Sequence, residues 1–66
     1  MTLITRMREY RAKYNFSQEE LAKLVGVRRE TIGNLENGKY NPSLKLAMDI
    51  AKIFKVSIEE VFTYED

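Results

Sequence analysis

At 66 residues, 44% apolar and 32% charged, the chain has the balance of one small globular domain with a modest core. It holds neither cysteine nor histidine, which removes disulfides, the common zinc ligands and the usual neutral-pH general base, so no metal, cofactor or enzymatic activity is expected. The net charge of +1 hides an asymmetry: residues 1–55 carry all 11 basic side chains against six acidic ones, while residues 56–66 carry four acids and no base.

Leu3, Met7, Tyr10 and Tyr14 recur at i, i+4, i+7 and i+11, the apolar stripe of a first helix that ends at Asn15. In "FSQEEL", Ser17 is an N-cap and Glu20 the third helical residue, a capping box flanked by the staple residues Phe16 and Leu21. This second helix carries Leu21, Ala22, Leu24 and Val25 and stops at Gly26, which suits the left-handed position after a helix. A third helix must begin almost at once, capped by Arg28, because Ile32 and Leu35 require a buried stripe; Asn37-Gly38 ends it. After the loop "KYNP", Pro42 and Ser43 suit a new N-terminus. Leu44, Ala47, Met48, Ile50, Ala51 and Phe54 then spread over a wide arc, predicting a fourth helix central to the core. A fifth opens with Ser57 and Glu60 as a second capping box, with Val56 stapled to Val61. The expected class is all-α with five helices in a single domain over residues 1–66. The head "MTLI" and tail "TYED" have enough β-character for a short pairing.

Counted from Gln18, the residues Ala22, Gly26, Ile32 and Leu35 fall at offsets of 4, 8, 14 and 17. A small residue at a close crossing, a glycine turn and two apolar locks on the next helix describe a helix-turn-helix unit over about residues 18–37. Its second helix can enter a DNA major groove. On that helix Ile32, Leu35 and Glu36 lie on one side, with Glu30, Asn34 and Asn37 opposite and Arg29 in the exposed first turn. Arg, Asn and Glu match guanine, adenine and the cytosine amino group respectively, so Arg29, Glu30 and Asn34 are candidate base readers. Gly33 costs about 1 kcal/mol relative to alanine on that face, a cost explained if something must approach the helix closely. Glu36, on the inner side, requires a cation, and Arg11 beside the first stripe is the candidate for a structural ion pair. Gln18 at a helix start, Arg28, Thr31, Gly33, Asn37 and the loop Lys39-Tyr40-Asn41 form the candidate set for the DNA backbone.

The stretch "FSQEELAKLVGV…TIGNLENGKYNPSLKLAMDIAKIFKVS" resembles the phage repressor and Cro (XRE-type) helix-turn-helix family in its short single-domain form, from about Met7 to Phe62. "SQEELA" and "LENGKYNPSL" are its most specific parts. The resemblance implies a five-helix domain that binds operator DNA as a dimer and regulates transcription. It also implies a phosphate contact at Gln18, base readers near Arg29, Glu30 and Asn34, and a buried bridge between Arg11 and Glu36. Two positions depart from the family pattern: Arg28 stands where Ser or Thr is common, and Glu30 where glutamine or a neutral residue is common.

Double-stranded DNA is therefore the expected partner, and a repressor reading follows the family resemblance, with a homodimer supplying two reading helices about 34 Å apart. Ile58 and Phe62, in an apolar C-terminal segment, are the expected interface. The rival reading is an antitoxin or another protein-binding module on the same fold. No stretch of ~20 apolar residues or signal pattern is present, so no membrane partner and a cytoplasmic location are expected. No small-molecule ligand is indicated.

Overall fold

The computed structural model describes residues 2–66; Met1 of the head lies outside them. In chain order the elements are β1 (Thr2–Thr5), α1 (Met7–Lys13), α2 (Gln18–Val25), α3 (Arg29–Glu36), α4 (Leu44–Phe54), α5 (Ile58–Val61) and β2 (Phe62–Glu65). Five helices and a short antiparallel pairing of the chain's head and tail are the architecture expected from the sequence.

Local chemistry explains the helix starts. Ser17 Oγ accepts from the Glu20 N–H at 3.0 Å while the Glu20 carboxylate accepts from the Ser17 N–H at 2.9 Å; hydrogen bonding from the Ser17 backbone and side chain holds the Glu20 carboxyl below its usual range. Ser43 Oγ accepts from the Leu46 N–H at 3.1 Å to open α4, and Glu60 accepts from the Ser57 N–H at 3.0 Å to open α5. Gly38 is required twice over: its φ is +69°, and a Cβ there would stand 3.1 Å from the Leu3 carbonyl oxygen.

Leu3 corrects the sequence reading. It belongs to β1 rather than to the first helical stripe, pairing with Tyr64 in the register Thr2↔Glu65, Leu3↔Tyr64, Ile4↔Thr63 and Thr5↔Phe62. The strand satisfies its backbone groups across the sheet and still buries the Leu3 side chain. Leu3, Met7, Leu21, Ala22, Ile32, Leu35, Ala47, Ile50, Phe54, Val61 and Phe62 form the core. Tyr10 and Tyr14 stack on Phe54, and the Tyr14 hydroxyl donates to the Phe54 carbonyl at 3.0 Å.

Phe62 is the second correction. It is only 7% exposed and packs within the core of its own chain, so it presents no free apolar surface to a partner. The exposed apolar surface lies elsewhere. Leu44 is 72% and Met48 42% exposed, although both were expected to face inward from α4. An eleven-residue helix beside so few neighbours buries one side only, and Ala47, Ile50, Ala51 and Phe54 already fill it.

Candidate DNA interface

α2 and α3 meet through Gly26-Val27-Arg28. Gly26 takes the left-handed conformation (φ 76°, ψ 34°), and the Val27 N–H returns to the Ala22 carbonyl at 3.0 Å. That turn redirects the chain so that Ile32 and Leu35 are completely buried while the opposite side of α3 meets solvent. Arg28 is the N-cap residue, extended at φ −80° and ψ 152°, and its side chain makes no capping bond. The guanidinium stands instead 3.9 Å from the Glu30 carboxylate.

Arg28, Arg29, Glu30, Asn37, Lys39, Tyr40 and Asn41 are exposed; Gln18, Thr31, Gly33 and Asn34 are half-buried. The fold brings these eleven residues around α3, the N-terminus of α2 and the loop after α3. Arg29 forms no ion pair among the described residues, whereas Glu30 has Arg28 beside it. A neighbouring guanidinium lowers the cost of holding a carboxylate near phosphates.

On the inner side the Glu36 side chain is 0% exposed. Arg11 Nε donates to Glu36 Oε2 at 2.7 Å and a terminal Arg11 nitrogen donates to Oε1 at 3.2 Å, a bidentate pair. Arg11 also donates to the Phe16 carbonyl at 3.0 Å. Burial pushes the Glu36 carboxyl up, but hydrogen bonds from Arg11 and Gln18, with the Arg11 charge, outweigh it and hold the group below the usual carboxylate range.

Two partners of this carboxylate were not foreseen. The Gln18 carboxamide donates to Glu36 Oε1 at 3.1 Å, and Arg8 Nε lies 3.5 Å from the same oxygen. Arg8 precedes Arg11 by three positions and so shares its helix face, a signal present in the sequence. Gln18 offered none, because its approach to Glu36 exists only once α2 and α3 cross.

The same crossing does not account for Gly33. A Cβ at this position would meet the Gln18 carboxamide at 3.8 Å, an ordinary contact, so alanine fits. Gly33→Ala should raise stability by about 1 kcal/mol through helix propensity. If DNA approaches this side of α3 closely, the same variant should bind DNA more weakly. Thermal unfolding and fluorescence anisotropy on one preparation test both; a higher Tm with undiminished affinity would remove the close-approach explanation.

The comparisons agree with this architecture. A family model described as helix-turn-helix matches residues 7–61. A relative described as an HTH-type transcriptional regulator from Archaeoglobus fulgidus is 63% identical over 62 residues, covering 94% of this chain and 87% of that one. Among solved structures, the restriction-modification controller protein C.AhdI from Aeromonas hydrophila superposes with a TM-score of 0.76 at 36% identity, over 83% of both chains. SinR, the master regulator for biofilm formation, solved in complex with DNA, gives a TM-score of 0.74 at 27% identity, over 82% of this chain and 87% of that one. A buried inner face, a glycine turn and an exposed second helix define a DNA-binding domain of the helix-turn-helix class. This chain belongs to the XRE-type helix-turn-helix family, and it is a DNA-binding transcriptional regulator.

Proposed function

We propose that the protein is a repressor that binds operator DNA sequence-specifically as a homodimer, with α3 in the major groove. The observation that carries the reading is the division of α3: Ile32 and Leu35 are fully buried, while Arg29 and Glu30 stand in solvent and Asn34, a turn further on, is half-buried. Arg29, Glu30 and Asn34 read base edges; Gln18, Arg28, Thr31, Gly33, Asn37, Lys39, Tyr40 and Asn41 hold the sugar–phosphate backbone. Occupying operator DNA excludes polymerase by bulk alone, which favours repression.

Selection of bound sequences from a random duplex pool at a stated salt concentration tests the reading. A two-fold-related pair of half-sites is the expected result, and transcription from a promoter overlapping that sequence should fall when protein is added. Recovery of unenriched DNA would overturn sequence-specific binding.

The dimer contact centres on Ile58 with Met48 and Leu44 rather than on Phe62. A shallow groove of about 210 Å³ lined by Met48, Ala51, Lys52, Val56 and Ile58 lies between α4 and α5. Lys52 supplies the one charged side chain of this lining. Met48→Glu places a charge on the exposed centre of the patch without touching the core. It should convert the dimer to a monomer in light scattering with Tm little changed. A wild type that is monomeric at micromolar concentration would overturn the contact.

A further inference from the structure

We propose that Arg8 is a further DNA contact: its guanidinium and the Gln18 carboxamide together clamp one phosphate, held side by side by the buried Glu36 carboxylate. The inference rests on the DNA interface described above and adds a residue of α1 to it.

Three observations carry it. First, the Glu36 oxygens do not need Arg8. Oε2 already accepts from Arg11 at 2.7 Å, and Oε1 accepts from Arg11 at 3.2 Å and Gln18 at 3.1 Å, whereas Arg8 reaches Oε1 only through Nε at 3.5 Å. Second, the Arg8 side chain is 68% exposed, and its two terminal nitrogens make no hydrogen bond among the described residues. Third, Arg8 Nε and Gln18 Nε2 converge on one oxygen atom, so their donors are neighbours, and the Gln18 carboxamide lies against Gly33 of the reading helix.

The charges point the same way. Two arginines face one carboxylate, leaving an excess positive charge at the junction of α1, α2 and α3. Arg11 is the one engaged at both carboxylate oxygens, so the excess falls to the exposed Arg8. A guanidinium that keeps free terminal nitrogens while its Nε rests on a carboxylate is oriented at little further entropic cost. A phosphate oxygen arriving beside Gln18 can accept from those nitrogens and from the second carboxamide N–H, which Glu36 does not use. Glu36 is thus a positioning residue for two donors, besides tying α3 to α1.

The test measures binding to a mixed-sequence 24-base-pair duplex by fluorescence anisotropy between 50 and 200 mM KCl, alongside Tm. Arg8→Ala should flatten the dependence of log K on log salt by about 0.9, the value for one phosphate contact. Over that fourfold salt range the variant should lose about 3.5-fold less affinity than wild type. Its Tm should stay near that of wild type, and Arg8→Lys should recover the slope. An unchanged slope in Arg8→Ala, with or without a fall in Tm, would overturn the clamp and leave Arg8 only a structural neighbour of Glu36. A wild type whose duplex binding shows no salt slope would overturn the DNA interface itself, a result distinguishable from failure of Arg8 alone.

Discussion

Replacing Arg11 with alanine should destabilise the domain by about 3 kcal/mol, the typical consequence of stranding a buried charge. In a domain of this size that corresponds to a Tm lower by roughly 10–20 °C. The cause is Glu36, whose side chain is fully buried and whose two oxygens take three of their four best hydrogen bonds from Arg11 and Gln18. Without Arg11 the carboxylate keeps its desolvation cost and loses its principal counter-charge.

The same pair fixes a pH dependence. The folded-state pKa of Glu36 lies below the ordinary value of 4.5, so the unfolded chain binds the proton more readily. The stabilisation is complete above that value and is lost as pH falls through the depressed folded pKa. Thermal unfolding from pH 7 to pH 3 should therefore show a steep acid limb in wild type, and a shallower one in Glu36→Gln. A double-mutant cycle on Arg11 and Glu36 provides the decisive measurement. Additive single effects would mean that the bidentate geometry contributes no coupling and that the loss arises from packing.

Asn34→Ala should cost about 5- to 150-fold in discrimination at one base pair of the selected site, the range of ~1–3 kcal/mol for a bidentate base contact. Arg29→Ala should act similarly at a different base pair. Lys39→Ala should instead weaken binding to every sequence and flatten the salt slope by about one unit, because a backbone contact carries no base information. Affinities for the selected duplex and its single-base variants, each across a salt series, separate these behaviours. If Asn34→Ala and Lys39→Ala lose affinity in parallel on all duplexes, the division between readers and anchors is wrong.

Much of the helical framework was legible because its signals are local. The capping residues Ser17 and Glu20 face each other across three residues, and Gly26 and Gly38 mark φ values that ordinary side chains rarely adopt. Other positions carry no such mark. Lys55 also takes positive φ with nothing in its side chain to announce it, whereas Asn15, at φ 60°, is of a residue type that tolerates the left-handed region. Leu3 and Met7 stand four apart, as in a helix, yet Leu3 follows a strand partner about sixty positions away.

The sequence by itself determined where α2 and α3 begin and end, which side of α3 faces inward, and which basic and amide side chains remain outside. These follow from periodicity and capping, which act over a few residues. Only the tertiary structure decided that Phe62 is core while Met48 and Leu44 are surface, and that Arg8 and Gln18 share one oxygen of Glu36. An apolar side chain is buried only if another element covers it, and donors on α1 and α2 converge only after both helices cross α3.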